Sequence, residues 1–272
     1  VDGLTFAVID EATIELVGVS EAAGASPRRV VASSQGLEAP DVLPDLGSTP
    51  AASEADTDAG MLTLPETTTY EGSEYTLVSI APYALYLSGV TDVTLPASVS
   101  DVDDRAFRSS DVASVTVAEG NPAYSSSDGA LYDADQLSLL LIPEGKQGTV
   151  RIPKTAEVAE ASVFSHCPLV DSISVDAGSA AFASENGLLY TSDLTTLLRV
   201  PVGATEITIR DGCTTIAAGA LEACANLTTI NAPATVTSIS PDVFHAIPTV
   251  SLPAASVILG EDSEATEVEE SN

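Results

Sequence analysis

Few residues of this 272-residue chain belong to types that do chemistry, and their spacing limits what each can do. Two histidines, His166 and His245, and three cysteines, Cys167, Cys213 and Cys224, are its whole stock of imidazoles and thiols. His166 and Cys167 are adjacent, which supplies the two groups of a thiol nucleophile and its base. Neighbours on a helical turn point about 100° apart, however, so the two side chains do not face each other. An exposed imidazole beside a structural thiol is the preferred reading. Metal binding needs several ligands at close spacing, and the chain has no C-x-x-C, no H-E-x-x-H and no complete calcium loop. Asp133-Ala134-Asp135 comes nearest, but it recurs as Thr191-Ser192-Asp193, which suits a hairpin turn better. Gly145-Lys146 has Leu140 where a phosphate loop needs its first glycine, and is read as a turn. Asp103-Asp104 fits a helix start, favoured there by the macrodipole, more than a catalytic dyad. No G-x-S-x-G occurs. The expectation is a protein that is not an enzyme, with no cofactor and no metal.

What such residues sit on is set by repetition. The stretch from Asn121 to Tyr132 returns from Ser179 to Tyr190, and Phe107, Phe164 and Leu221 occupy one equivalent place at even intervals. A fixed period means that each unit buries its apolar face only by stacking on its neighbours. Within the long period lies a shorter one, anchored on Leu85, Phe107, Phe164, Leu221 and Phe244. Eight residues before each anchor stand Leu77, Val99, Ala156, Cys213 and Val236; five before stand Ile80, Val102, Ala159, Ile216 and Ile239. After the anchors, short alternating runs such as Val93-x-Leu95, Val115-x-Val117, Ile173-x-Val175 and Val250-x-Leu252 read as strands with one buried face. Before them, Ala81-Pro82 and Ser240-Pro241-Asp242 predict a short helical turn. Ser127-Asp128-Gly129 and Glu185-Asn186-Gly187 predict hairpin turns, and the runs Leu139–Ile142 and Leu197–Val200 return the chain to the stack, with Val150–Ile152 and Glu206–Ile209 as further strands.

The pattern I-P-x-x-V-x-x-I-x-x-x-A-F-x-x-C-x-x-L-x-x-I, carried from Ile209 to Ile230 and more loosely four other times, resembles that of the BspA-like leucine-rich repeats of bacterial surface proteins. Arg210 departs from it, standing where proline is usual, as do Leu85 and Leu221 in place of phenylalanine. The resemblance implies an α+β repeat solenoid, right-handed, with one short parallel strand and one short helical turn per rung plus β-hairpin elaborations. It also implies a non-enzymatic domain for protein or glycan binding or adhesion, extracellular or on the surface of a bacterium. The rivals are a structural spacer of a larger surface protein and an accessory region of a surface hydrolase.

The expected division is a capping hairpin over 1–19, a mobile insertion poor in large apolar residues over 20–60, the solenoid over 61–260 and an acidic tail or linker over 261–272. Forty acids against nine bases give a net charge of −31, a field that repels nucleic acid and anionic lipid. No apolar run reaches the roughly 18 residues of a membrane span. A chain beginning with Val1 reads as a processed protein or an excised fragment. It is expected to be a monomer. Cys167 and Cys224 share a repeat position, but an inserted rung should put their Cα atoms near 10 Å, beyond the roughly 4.4 to 6.8 Å of a disulfide. All three thiols are expected to be reduced and buried.

If the chain binds anything, the open strand face is where it does so. Its outward positions are Thr94, Thr116, Arg151, Ser174, Thr208, Asn231 and Ser251, flanked by Asp92, Ser114, Ser172 and Thr229. This flat polar ladder lacks the Trp, Tyr and Arg anchors of tight protein interfaces apart from Arg151, so weak, multivalent or carbohydrate-like contact to a host or neighbouring-cell protein or glycan is expected.

Overall fold

The computed structural model describes residues 4–19, 60–70 and 72–240. The expectations for residues 20–59 and 241–272, including Phe244, His245 and Ser251, lie outside the described residues. The described chain winds as a stack of rungs, each adding a strand to two ladders. The front ladder holds Met61–Thr63, Asp92–Leu95 and Ser114–Val117, then Gly148–Ile152 with Val170–Val175, then Glu206–Thr208 with Thr229–Asn231, each neighbouring pair parallel. The back ladder holds Thr13–Val19, Ser73–Ile80 and Asp101–Val102, then Ser138–Leu141 with Val158–Ala159, then Thr196–Arg199, Thr215–Ile216 and Ser238–Ile239, again parallel. Leu4–Val8 pairs antiparallel with Thr13–Val19 at the start of the back ladder.

The core runs between the ladders and is made by the repeat positions read from the sequence. Leu77, Val99, Ala156 and Cys213 are buried, as are Ile80 and Ile216 and the anchors Leu85, Phe107, Phe164 and Leu221. Each buried Leu, Ile, Val or Phe contributes about 1.5–3 kcal/mol relative to exposure. No single rung has more than a few, so each rung is stable only against its neighbours.

The two hairpins divide this column. Ala130–Asp133 and Leu188–Thr191 run across it with both faces covered: Leu131 joins the first section of core, while Ala130 and Tyr132 join the second. In the second hairpin Leu189 faces the second section, and Leu188 and Tyr190 face the third. A strand buried on both sides must be apolar throughout, which is why Ala130-Leu131-Tyr132 and Leu188-Leu189-Tyr190 do not alternate.

The expected α+β class with a helical turn in every rung is corrected by the structure. Among the described residues the one regular helical element is a 3-10 segment, Ala161–Phe164, whose Glu160 makes no side-chain cap. The other rungs pass their anchors in open turns, and on the Leu85 turn the amides are divided between two acceptors. Ala84, Tyr86 and Ser88 donate to the carbonyls of Ala81, Tyr83 and Leu85, three residues back, whereas Tyr83, Leu85 and Leu87 donate to Arg105, Ala106 and Ser109 of the next rung. A helix needs consecutive amides for itself, and here every second one is engaged by the neighbour. Leu87, Ser109 and Ala223, two residues after their anchors, also carry φ of 47°, 52° and 62°, which stops a helix at once. Proline at Pro82 is therefore a turn residue.

The segments returning from the hairpins add a layer. Gly145 donates to the Val112 carbonyl and Gly203, its counterpart in the later copy, to that of Val170, both at close range. A Cβ on Gly145 would lie 2.5 Å from the Asp111 oxygen, and one on Gly203 would lie 2.6 Å from that of Val170. Gly145→Ala and Gly203→Ala should each cost about 2 kcal/mol by forcing backbone apart. Denaturant melts check this, and a loss below about 0.5 kcal/mol would show that the return segments do not dock tightly.

The inserted layer separates the cysteines. Cys224 Sγ contacts the Val200 and Pro201 carbonyls of the returning segment, Cys167 Sγ donates to the Phe164 carbonyl, and all three thiols are free and buried. Burial pushes the Cys167 thiol up to about 12 and that of Cys224 to about 11. In the native protein all three should resist alkylation, and unfolding without reductant should expose three labels by mass. One label would mean a Cys167–Cys224 bridge and rungs in direct contact.

Candidate functional site: the strand face

The front ladder brings most of the sequence-predicted face residues into register. Asp92 lies beside Ser114 and Thr94 beside Thr116; Arg151 lies beside Ser174; Thr208 lies beside Asn231. Ser172 pairs with Thr149 and Thr229 with Glu206, two positions on the same face edge. Asp92, Thr116, Arg151, Thr208, Thr229 and Asn231 are exposed, while Thr94, Ser114, Ser172 and Ser174 are half-buried. Ser251 is outside the described residues.

The hairpin tips explain the half-buried serines. The tip Asp128-Gly129 inserts after Ser114–Val117: the Val115 amide donates to the Gly129 carbonyl at 2.9 Å. On its other side the Arg151 amide donates to Asp128 Oδ2 at 2.9 Å. The second tip does the same, with the Ile173 amide donating to Gly187 at 2.8 Å and Asn186 Nδ2 donating to the Thr208 carbonyl at 3.1 Å. Each tip thus substitutes for a strand, with a side-chain oxygen or amide standing in for the peptide group that a turn cannot supply. Gly129 and Gly187 have φ of 77° and 76° and press on Ser114 and Ser172, so the turn and its fit require glycine. The ladder is continuous, but turns occupy two of its rungs.

Its charges are paired within the face. Lys146 Nζ lies 3.1 Å from Asp128 Oδ2, Arg151 pairs with Asp176, and Asn231 Nδ2 donates to Glu206 Oε1 at 3.1 Å. The hydrogen bond and charge of Asp176 raise the pKa of Arg151 from the ordinary arginine value.

The groups first weighed for chemistry take structural roles. Cys167 is buried while His166 is at the surface, its Nδ1 3.1 Å from Arg108 Nη1. Partial burial and the Arg108 charge lower the His166 pKa. Asp133 Oδ1 accepts the amides of Leu137 and Ser138, closing the turn. Asp103 Oδ1 accepts the amide and Nε of Arg105. Among the described residues no group of three or more His, Cys, Asp or Glu is placed to hold a metal ion, and no helix is long and apolar enough to cross a membrane.

Two residues escape the sequence reading. Arg199 is 1% exposed in an otherwise apolar setting. Its Nη1 donates to the Gly219 carbonyl, its Nη2 donates to the Glu222 carbonyl at 2.9 Å, and its guanidinium lies 5.7 Å from the Phe164 ring centre. Burial lowers its pKa from the ordinary arginine value. Tyr132 carries a fully buried hydroxyl with no partner. Tyr190, at the same place in the later copy, accepts the Arg210 amide at 3.3 Å. The position matching Arg210 in the earlier copy is close to Pro153, which has no amide hydrogen. Aligning the two copies shows both differences, Arg199 against Leu141 and Arg210 against Pro153.

Stacked rungs with a parallel strand ladder and recurrent Leu, Ile, Val and Phe anchors define a leucine-rich-repeat solenoid. The chain belongs to the BspA type leucine rich repeat family, whose profile matches residues 78–194 and 202–259 in six copies. Among solved structures it is similar to the pneumococcal vaccine antigen PcpA at 15% identity and a TM-score of 0.46, over 93% of this chain and 69% of that one. A leucine-rich repeat protein from Eubacterium ventriosum matches at 15% and 0.47, over 94% of this chain and 65% of that one. Another from Bacteroides ovatus matches at 14% and 0.45, over 96% and 60%. The chain thus spans less than two thirds of the length of the last two. No curated protein matches the chain.

The two tyrosines give a test of the repeat alignment. Tyr190→Phe should cost about 1 kcal/mol by leaving the Arg210 amide unpaired, whereas Tyr132→Phe should be neutral or stabilising because no hydrogen bond is lost and a desolvated hydroxyl is removed. Chemical denaturation of both variants checks the contrast, and equal losses would refute it.

Proposed function

We propose that this chain is a non-enzymatic leucine-rich repeat domain, displayed outside a bacterial cell, whose front ladder binds a protein or glycan. The observation that carries the reading is the exposed polar row Asp92, Thr116, Arg151, Thr208, Thr229 and Asn231, presented on parallel strands of a stacked fold. Adjacent strands are about 4.8 Å apart, so each stretch of the ladder between the hairpin tips offers hydroxyl, carboxylate and amide groups at that interval to an extended ligand. Thr94, Ser114 and Ser174, half-buried, lie beside Thr116, Asp92 and Arg151 on the same face. Family membership favours the surface location. With one arginine and no exposed aromatic among these positions, contact is weak per site and gains strength by repetition along the ladder.

The pairing of Arg151 with Asp176, Lys146 with Asp128 and Asn231 with Glu206 favours a second reading, a spacer whose face is already satisfied. Arrays of extracellular-matrix proteins and of bacterial and host glycans, probed with the purified chain, separate the two. The binding reading expects at least one saturable ligand whose affinity falls about tenfold in Thr116→Arg and Thr208→Arg, exposed changes that alter stability by no more than about 0.5 kcal/mol. Ligands unaffected by both variants would move the site off this face, and silence across the arrays would favour the spacer.

A further inference from the structure

Three side chains stand in one row across the first strands of the back ladder. Glu15 on Thr13–Val19 pairs in register with Ser79 on Ser73–Ile80, and Ser79 pairs with Asp101 on the next strand. Ser79 is 5% exposed, and its hydroxyl lies 3.1 Å from Glu15 Oε1 and 3.2 Å from Asp101 Oδ2. A serine hydroxyl carries one proton and donates it to one carboxylate at a time. With both acids ionised, the carboxylate left over faces the Ser79 oxygen, acceptor against acceptor, with a second negative charge close by.

We propose that Glu15, Ser79 and Asp101 form an acid-strengthened latch, in which a proton carried by Glu15 completes a hydrogen-bond chain that holds the N-terminal hairpin against the first rungs. The Glu15 hydroxyl donates to Ser79 Oγ, and the Ser79 hydroxyl donates to the Asp101 carboxylate. Glu15 is the member that takes the proton, because it is half-buried while Asp101 is exposed. Partial burial raises the Glu15 pKa, as do the charges of Asp101 and Asp103; the Ser79 hydroxyl lowers it, but only while it donates to Glu15 instead of Asp101.

The surroundings offer Glu15 no counter-charge. Among the described residues the charges acting on it are Asp101 and Asp103, both negative. On its outer side it lies beside Ala7, and Leu4–Val8 has no ionisable side chain. In Ser73–Ile80 the ionisable Glu74 and Tyr75 stand near the start of the strand, paired with Thr69 and Thr68. Beyond Asp101, the Tyr124 hydroxyl is engaged by the Val102 amide, and Arg105 is held by Asp103 and Asp104. Next to Glu15 in its own hairpin, Asp10 and Glu11 stand in the turn, where Asp10 accepts the amides of Ala12 and Thr13.

The hairpin has a core contact to protect, since Ile14 and Leu16 flank Glu15 and are buried in the first section of core. A carboxyl that keeps its proton to higher pH in the folded chain than in the unfolded chain strengthens the fold in acid, and that gain is lost as pH rises through the folded value. The hairpin is therefore held most tightly at mildly acidic pH and loosens toward neutrality. The latch is separate from the front ladder and stands whether or not that face binds a ligand.

The test is hydrogen exchange of the full chain between about pH 5 and about pH 7.5, each rate corrected for the intrinsic pH dependence of exchange, with EDTA present so that no metal ion takes the proton's place. The reporters are the amides of Thr76 and Ala81, which donate to the Ala12 and Leu16 carbonyls, and the reference is Ala217, which donates to Leu197 in the third section. As pH rises, protection at Thr76 and Ala81 should fall severalfold more than at Ala217, and the Glu15 carboxyl should titrate by NMR above the ordinary glutamate value of about 4.3. Glu15→Gln, neutral at every pH, should remove the excess fall, whereas Glu11→Gln, which deletes an exposed charge in the turn, should keep it. If Glu15→Gln fails to fold, Asp101→Asn decides by bringing the Glu15 titration down. Equal falls at all three amides, a Glu15 titration at or below the ordinary value, an excess fall that survives Glu15→Gln, or a Glu15 titration unmoved by Asp101→Asn would overturn the proposal.

Discussion

The structure depends on the backbone amides that neighbouring rungs share. On the ridge of Leu85, alternate amides turn inward to close the local bend and outward to the carbonyls of the rung above. Both sets must be satisfied, since a buried peptide group without a partner is costly. The sharing fixes the rise between rungs at the spacing of paired strands, and that spacing brings Leu77 over Val99 and Leu85 over Phe107. Hydrophobic contact supplies most of the stabilisation, yet the amides decide the register in which it is collected.

The hairpins obey the same constraint by a different device. A turn cannot present a full peptide edge on both sides, so Asp128 and Asn186 complete the ladder with their side chains. The strands behind the tips are buried on both faces and close one section of core while opening the next. The copies are not interchangeable. Pro153 leaves Tyr132 without its hydrogen bond, and Leu141 puts an apolar side chain where the later copy buries Arg199. Where backbone geometry rules, the copies agree; where a side chain alone is concerned, they diverge.

The repeat register, the buried anchors and the strands of the front ladder are legible in the sequence, because an apolar residue at a fixed interval has one physical explanation in a stack. The open turns are not. Pro82 and the small residues before each anchor are compatible with a helix start, and nothing local reveals that every second amide of the Leu85 turn is taken by the neighbouring rung. The ladder face reads correctly as strands, but the tips pressing on Ser114 and Ser172 are not foreseeable, since Asp-Gly and Asn-Gly signal a turn without saying where it docks. Arg199 escapes notice because a basic residue at the end of a short strand normally points to solvent. Its significance emerges only when the two copies are laid on each other.

The hydrogen bonds that join the rungs point along the stack. A pull on the two ends of the solenoid therefore loads them one rung at a time, as a zip is opened, instead of shearing a whole strand at once. The strands Ala130–Asp133 and Leu188–Thr191, buried on both sides, are the places where such peeling meets most resistance. A domain built this way gives under tension in stages of one long repeat, each releasing about 200 Å of chain. The stack behaves as a ratchet of slack, letting out length while the sections beyond each hairpin stay folded.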